Sequence, residues 1–221
     1  MTTKKPGPAR PRNAASLVLF RKYRNQYQVL MGRRGSKAKF KPGVYVFPGG
    51  IVERDDYVVQ PKKKLKTQYT RMMAVANSHR KANGLAMCAV REAFEEVGLT
   101  LGEKGQLNTV RNNTWQHFKQ LGLSPNLKLL DYLGRAITPP IQPIRFHARF
   151  FSINFEQMHG NILGDGELED IRWVRLDQSE KLEMMLVQKM IMETLAKRLS
   201  GLSAPAQKLF FSWGRINIKR S

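Results

Sequence analysis

The sequence predicts a mixed α/β domain in which one mixed sheet is sandwiched between helices. Apolar stretches with strand character and segments with helical periodicity follow each other in the order strands, helix, strands, helix, which indicates this class. The chain has 221 residues, of which 42% are apolar, enough for a single domain with a substantial core. It has one cysteine, Cys88, so an intrachain disulfide and a cysteine-built metal site are excluded.

The composition limits the expected location of the protein and gives it a large positive net charge. No run of about 18 apolar residues exists, so no membrane insertion is expected, and the N-terminus lacks the apolar core of a secretory signal. We expect a cytoplasmic protein, with an organelle matrix as the alternative. The net charge is +21, and residues 1–71 contribute 18 basic and three acidic residues. Such an excess of positive charge attracts polyanions or simply keeps the protein soluble.

Residues 1–12 are rich in Pro, Lys and Arg and are expected to form a disordered basic leader. Residues 14–21 and 27–33 are apolar, β-prone runs that predict a strand pair joined by a turn. The remaining predictions are strands at 44–47, 129–136, 146–154 and 171–175, helices at 85–97, 114–121 and 178–199, and strand propensity at 208–219. The domain is therefore expected to span 13–200, with 201–221 as a basic, aromatic tail.

The helix at 85–97 carries the first chemical signal. Its small apolar residues fall on one face, while Glu92, Glu95 and Glu96 fall on the other at spacings that make them neighbours. Arg91 lies four residues before Glu95 and pairs with it. Gly98 follows in the position of a left-handed helix cap.

This acidic face is costly. Glu95 and Glu96 lie in the last turn, where the helix dipole disfavours each acid by about 0.3–1 kcal/mol. The three carboxylates also repel one another, and one arginine cannot neutralise them all. They form either a solvated acidic surface or a site for a hard divalent cation, since Mg²⁺ and Mn²⁺ prefer oxygen ligands. The Phe47-Pro48-Gly49-Gly50 loop favours the site, because two glycines let a backbone carbonyl approach a ligand closely.

Together these residues resemble the box of the Nudix hydrolase superfamily. That box is a glycine, five residues, a glutamate, seven residues, then R-E-U-x-E-E-x-G-U, where U is a bulky apolar residue. Residues 91–99 (REAFEEVGL) resemble the second half, with Ala93 a small substitute for the first bulky residue. Gly50 matches the first half, and Asp56 replaces its glutamate. The 34 residues from 57 to 90 stand where the box has seven.

Such an interrupted box is similar to a subgroup related to coenzyme A diphosphatases. Its upstream signature is partly met, because Arg33 and Gly43 match, Lys39 replaces an arginine, and Arg34-Gly35 replaces a Ser-Ala pair. The resemblance covers about residues 13–200. It implies a Nudix-type α/β/α sandwich, a single domain with an insertion at 57–84 inside the box.

The resemblance also implies an activity. It is hydrolysis of a diphosphate linkage in a nucleoside diphosphate joined to another moiety, with coenzyme A or acyl-coenzyme A as the first choice. ADP-ribose, nucleotide sugars, dinucleotides and RNA 5′ ends are the alternatives. The resemblance further implies a homodimer.

Carried over residue by residue, Glu95 and Glu96 are expected to bind Mg²⁺ or Mn²⁺. Glu92 is a further ligand or the base for the attacking water, and Arg91 orients the carboxylates. The Gly50 carbonyl is a further expected ligand, and Asp56 is expected to hold Arg91.

Other residues are candidates with an ordinary alternative. Glu167, in the acidic cluster 164–170, is either a further metal ligand or part of an exposed turn. Arg33 and Lys39 follow a strand and either bind phosphate or lie on the solvated surface. Arg145 and Arg149 alternate with apolar residues along a strand, so their face either lines the substrate cleft or faces water.

Two features keep a second class of function open. The insertion at 57–84 holds a lysine run that either covers the cleft or forms a disordered basic loop, and the loop is favoured. The tail combines basic and aromatic residues, the pattern with which single-stranded RNA is bound. A non-catalytic RNA-binding protein on the same fold is therefore the alternative, although a pure RNA binder does not need crowded carboxylates.

Overall fold

The computed structural model describes residues 7–108, 110–212 and 215–220. Three α-helices and eleven strands lie within these ranges. The helices are α1 (His79–Val97), α2 (Asn113–Gln120) and α3 (Leu186–Leu199). The strands are β1 (Arg12–Tyr23), β2 (Gln26–Arg34), β3 (Tyr45–Val46), β4 (Gly49–Ile51), β5 (Glu103–Lys104), β6 (Leu123–Ser124), β7 (Asp131–Ile137), β8 (Phe146–Asn154), β9 (Leu168–Arg175), β10 (Gln207–Ser212) and β11 (Arg215–Arg220).

One mixed sheet organises the described residues. Its order is β11-β10-β7-β8-β1-β2-β3, with β4 also paired to β1 and β9 to β2. The pairs β1–β8 and β7–β10 are parallel, and the other pairs are antiparallel. Alternate β1 residues serve two cores, since Leu17 packs on the side of α1 and α2 while Val18 packs on the side of α3. The expected mixed α/β domain with a mixed sheet is confirmed.

Helix α1 ends where the sequence predicts and begins six residues earlier. Gly98 adopts φ +72° and its N–H donates to the Phe94 carbonyl at 2.9 Å, as a left-handed cap requires. At the other end the Ser78 side chain accepts from the Lys81 N–H, which satisfies a free donor of the first turn. Residues 79–84 are mostly polar, so apolar periodicity does not reveal this first part of the helix.

The segment 57–78 that leads into α1 is not the disordered loop that we expected. Val59, Leu65, Tyr69 and Met73 are all buried in the core beside α1. Three of its basic residues have acidic partners, since Lys62 and Lys63 pair with Glu103 and Lys66 pairs with Asp131. Apolar residues between the lysines pack into the core and hold the segment in place, whereas the lysine run by itself suggested a disordered loop.

Helix α3 is shorter than the predicted 178–199. Residues 176–181 form a short 3₁₀ helix, and the chain then becomes extended. The Tyr45 N–H donates to the Glu183 carbonyl at 2.9 Å, so this extended stretch hydrogen-bonds to β3. That pairing places the start of α3 close to the loop between β3 and β4.

The C-terminal segment belongs to the same sheet, so the expected boundary at residue 200 is corrected. β10 runs parallel to β7 and forms an antiparallel hairpin with β11. Within the leader, the Ala9 carbonyl accepts from Arg145 Nη1 at 2.7 Å and Arg12 begins β1. Residues 1–6 of the expected leader, and Trp213 of the tail, lie outside the described residues. In the described part of the chain, no helix combines the length and the hydrophobicity that crossing a membrane would require.

Candidate active site

The geometry of the site is set by a buried arginine. Arg91, on α1, is only 2% exposed. Its guanidinium makes two hydrogen bonds to Asp56, at 3.0 and 3.1 Å, and one to the Ile51 carbonyl at 2.9 Å. The same group contacts Glu92 at 2.9 Å and Glu95 at 2.6 Å. Arg91 therefore fixes two helix carboxylates against β4 and the 3₁₀ turn after it.

The Gly49-Gly50 backbone lies directly against the carboxylates of α1. The Gly49 N–H donates to Glu96 Oε2 at 2.7 Å. A β-carbon at position 50 would lie 2.4 Å from Glu92 Oε1, so only glycine allows this approach without a shift. Behind Gly50, the buried Cys88 thiol lies 3.6 Å from the Gly50 carbonyl oxygen.

Two polar contacts from α2 complete the cluster, and local sequence patterns did not reveal them. The Thr114 hydroxyl hydrogen-bonds to Glu95, and Trp115 Nε1 donates to Asp56 Oδ1 at 3.0 Å. These residues lie 19 and 59 positions from their partners. A buried tryptophan needs a partner for its N–H, which was the only available signal.

The carboxylates of α1 experience burial and mutual repulsion. Burial raises the pKa of Glu92 to about 7, with repulsion from Glu95 adding to the rise and Arg91 opposing it. Burial, then repulsion from Glu92, Glu167 and Asp165, raises the pKa of Glu96 well above its ordinary value. One cation, Arg91, therefore does not offset the cost of ionising all of these carboxylates.

The cluster opens into a cavity of about 920 Å³, within the size range of small-molecule sites. Its acidic side chains are Glu53, Glu92, Glu95, Glu96, Asp165 and Glu167. The opposite part is largely apolar and comes from the sheet, the start of α3 and the C-terminal hairpin β10–β11. The cavity thus joins an anionic end to an apolar end.

The structure brings the predicted residues Arg91, Glu92, Glu95, Glu96, Gly50 and Glu167 together on this cavity. Arg33 and Lys39 are not among its lining residues. Arg33 is exposed and pairs with Glu169 at 3.1 Å, and Lys39 is exposed. The neighbouring Arg34 lines the cavity instead, and its Nε is buried with no hydrogen-bond partner among the described residues.

The structure corrects the predicted role of Arg145 and Arg149 at the substrate cleft, since neither residue lines the cavity. The other face of β8, with Phe146, Ala148 and Phe150, lines the cavity. Arg149 is 1% exposed and binds the Met73 carbonyl through Nε and Nη2 at 3.1 and 3.0 Å. Arg145 binds the Thr138 and Ala9 carbonyls. Both arginines hold backbone segments in place, and the segment before α1 covers Arg149.

The donor chemistry of the cavity fits a hard divalent cation. In the described ranges, no group of three or more His, Cys, Asp or Glu side chains forms a ready-made metal site. Mg²⁺ does not need one, since it keeps several waters and usually takes one or two carboxylates together with substrate phosphate oxygens. Carboxylates that repel one another at the end of an open cavity match that mode of binding.

The chain resembles Nudix proteins in sequence and in fold. No protein-family model matches the sequence. The chain is 28% identical over 174 residues to Putative nudix hydrolase 7 of Caenorhabditis elegans, an alignment that covers 74% of this chain and 51% of the worm protein. The chain thus spans about half the length of that curated relative.

Solved structures show the same fold. A NUDIX hydrolase from Alicyclobacillus acidocaldarius superposes with a TM-score of 0.65 and 26% identity, over 88% of this chain and 98% of that one. The NUDIX domain of Shewanella oneidensis NrtR, solved with ADP ribose, gives a TM-score of 0.50 and 12% identity over 86% and 90% of the two chains. The worm and Alicyclobacillus proteins, both named as Nudix hydrolases, are similar to this chain in sequence, and the NrtR domain shows the fold alone.

Proposed function

We propose that this chain is a metal-dependent diphosphatase that cleaves the diphosphate linkage of a nucleoside diphosphate joined to a second moiety. The observation that carries this proposal is the carboxylate cluster around Arg91, which faces an open cavity. A cluster of largely buried, ionised carboxylates is unfavourable by itself. It becomes favourable when a divalent cation and a diphosphate bind there together.

Within this proposal, Glu95 and Glu96 hold Mg²⁺ or Mn²⁺, with Glu167 and the Gly50 carbonyl as further ligands. When bound, the cation neutralises diphosphate charge and helps to activate a water. Glu92 is either a ligand or the base that takes the proton of that water. Arg91 acts as a positioning residue, because its guanidinium touches Glu92 and Glu95 and is itself buried.

Cationic side chains for the diphosphate are available on the cavity wall. Arg34 and Lys41 both line it. A buried guanidinium nitrogen without a partner, as in Arg34, gains a charge-assisted hydrogen bond when a phosphate oxygen binds. Arg34 therefore takes the phosphate-binding role expected for Arg33 and Lys39.

Coenzyme A or an acyl-coenzyme A is the first-choice substrate. The partial signature at Arg33 and Gly43 and the apolar end of the cavity support this choice. ADP-ribose, nucleotide sugars, dinucleotides and RNA 5′ ends share the same scissile linkage and remain alternatives.

The test is a hydrolysis screen of these compounds with Mg²⁺ or Mn²⁺, using the wild-type protein and Glu96→Gln. We expect turnover of at least one compound and its loss in Glu96→Gln. Glu193→Gln is the matched control, since Glu193 lies on the exposed side of α3 and pairs with Lys197. Absence of turnover for every compound, with a folded wild-type protein, would overturn the proposal.

A non-catalytic RNA-binding protein is the second candidate, favoured by the net charge of +21. In that case RNA binding would weaken steeply with salt and would be equal in wild type and Glu96→Gln. We also propose that the protein is a homodimer, which sedimentation analysis tests. A cytoplasmic location is a further proposal, which fractionation of cells tests.

A further inference from the structure

A row of cationic side chains crosses four neighbouring strands at the C-terminal edge of the sheet. Four residues are successive cross-strand partners on β11, β10, β7 and β8, namely Lys219, Lys208, Arg135 and Arg149. Residues that pair directly present their side chains on the same face of a sheet. Neighbouring strands are about 4.8 Å apart, so this basic row spans roughly 14 Å.

The basic row lies on the side of the sheet opposite the floor of the cavity. Ala148 and Leu209, which alternate with members of the row along β8 and β10, line the cavity, and no member of the row does. Exposure increases along the row. Arg149 is 1% exposed, Arg135 and Lys208 are half-buried, and Lys219 is exposed. The row thus leads from the interior to the surface.

The arrangement of the basic row is electrostatically costly. Like charges directly opposite each other in a sheet are destabilising, and the row contains three such pairs in succession. Within the described ranges, neither Lys208 nor Lys219 forms a salt bridge. Three lysines of the segment before α1, by contrast, all pair with acids. The protein therefore leaves the charge at the exposed end of the row for a negatively charged partner.

An aromatic ring lies among these cations. Phe210 follows Lys208 on the same face of β10, is half-buried and also borders the cavity. Lys208 Nζ is 4.3 Å and Lys219 Nζ is 5.8 Å from the centre of its ring. The exposed Arg215 has the same alternation along β11 as Lys219, so it adds a further cation to this face. Single-stranded nucleic acid is bound by this combination, since bases stack on aromatic rings while cations neutralise phosphates.

We propose that the exposed end of the basic row, together with Phe210 and Arg215, binds single-stranded nucleic acid. A row of cations matches the repeating phosphates of such a strand. The apolar Ile216 and Ile218 of β11 alternate to the other face, so the cationic face lacks the apolar surface that membrane binding requires. The proposed surface uses none of the carboxylates, and it neither requires nor replaces the proposed hydrolysis.

The test is fluorescence anisotropy with a labelled oligouridine of about 20 nucleotides, which exceeds the usual site sizes. We expect Lys208→Gln/Lys219→Gln to raise Kd about tenfold and to make the slope of log K against log salt shallower by about 1.4, because each phosphate contact of a single strand contributes about 0.7. Phe210→Leu should raise Kd about fivefold without changing the slope, since it removes stacking and no charge. Lys189→Gln/Lys197→Gln, with the same charge change on α3, is the matched control and should change Kd less than about twofold.

Thermal unfolding checks each fold, and Lys219→Gln alone, at an exposed position, replaces the double variant if that variant is unstable. Absence of binding by the wild-type protein, or equal losses in the double variant and the control, would overturn the surface. Binding to phosphatidylserine vesicles that depends on the same lysines, without such dependence for oligouridine, would also overturn it. The hydrolysis screen is read separately, because Lys208 and Lys219 do not line the cavity, so either proposal can fail while the other stands.

Discussion

Asp56 and Arg91 form the most deeply buried ion pair of the cavity region, with side chains 0% and 2% exposed. Burial raises the pKa of Asp56, while hydrogen bonds from Arg91, Glu53 and Trp115 oppose the rise. A pair of this kind is expensive to break, because the remaining charge stays buried. Asp56 thus matters for the placement of Glu92 and Glu95 although it need not touch substrate.

We expect Asp56→Asn to lower the free energy of unfolding by about 3–5 kcal/mol and to reduce turnover, measured by urea unfolding and by the hydrolysis assay. Asp177→Asn is the control, since Asp177 pairs with Arg175 at the surface and is 63% exposed. Exposed pairs contribute about 0–1 kcal/mol. A loss in Asp56→Asn no larger than in the control would contradict this account of Arg91.

Gly50→Ala tests the contact between the loop and the carboxylate. The new methyl would meet Glu92 Oε1, the movable end of a side chain, so the fold should survive while Glu92 is displaced. We expect turnover to fall by about 100-fold, as for an active-site misplacement of about 1 Å, with a small change in Tm. Gly7→Ala, which has open space around it, should change neither value. Full activity of Gly50→Ala would show that the close approach is unnecessary.

Residues that cluster locally could be predicted from the sequence, and residues joined by long-range packing could not. The spacing of Glu92, Glu95 and Glu96 on one helix places them together whatever the rest of the chain does. Arg149 was assigned to the wrong role because alternation along a strand separates two faces without telling which face a later segment covers.

At the scale of elements, basic side chains of β7, β8 and β10 lie together on one side of the sheet. Burial, followed by repulsion from Arg149, Arg135 and Lys208, lowers the pKa of His147 to about 3. Its neutral form is therefore favoured in the folded state. Below its ordinary pKa of about 6.5 the unfolded chain binds a proton that the folded chain does not, so stability falls as the pH decreases from about 6.5 to 3.

His147→Gln removes this contribution. We expect the variant to lose less stability than the wild-type protein between pH 7 and pH 4.5, with a difference of roughly 2 kcal/mol, measured by urea unfolding at both values. His79→Gln, at the exposed start of α1, serves as the matched control. Parallel loss in wild type and His147→Gln would show that His147 is not held neutral.

Element ends were predictable where the chain itself supplies the stop. Gly98 ends α1 through its own backbone conformation, and strand β8 has the predicted bounds. The start of α1 depends on the polar cap at Ser78 rather than on apolar periodicity, and the break before α3 depends on the pairing of Glu183 with the distant Tyr45. Local periodicity cannot contain that information.

At the scale of the whole molecule, the order of strands in the sheet was not deducible. The sequence indicated a mixed sheet, but the parallel pairs β1–β8 and β7–β10 join segments more than 60 residues apart. The C-terminal hairpin could not be predicted for the same reason. Its residues look like a separate basic tail in the sequence, and only the pairing of β10 with the distant β7 places them in the sheet.

The net charge of +21 leads to a prediction about the stability of the whole molecule. Self-repulsion destabilises a compact state, and salt screens it with a Debye length of about 10 Å at 0.1 M. We expect the free energy of unfolding in urea to rise between 0.05 and 0.3 M sodium chloride. Potassium chloride of equal ionic strength should act alike, which separates screening from specific ion binding. A decrease with both salts would mean that attractive ion pairs outweigh the repulsion.

The buried thiol of Cys88 gives the protein an internal reporter of its own opening. The side chain is fully covered, and burial, then Asp56 and Glu92, raises its pKa well above the ordinary value. A thiol-reactive reagent in solution can therefore label Cys88 only while α1 is separated from the sheet. Since the sequence has one cysteine, the labelling rate follows one event, and its slowing on addition of a ligand would register occupancy of the neighbouring cavity without any assay of turnover.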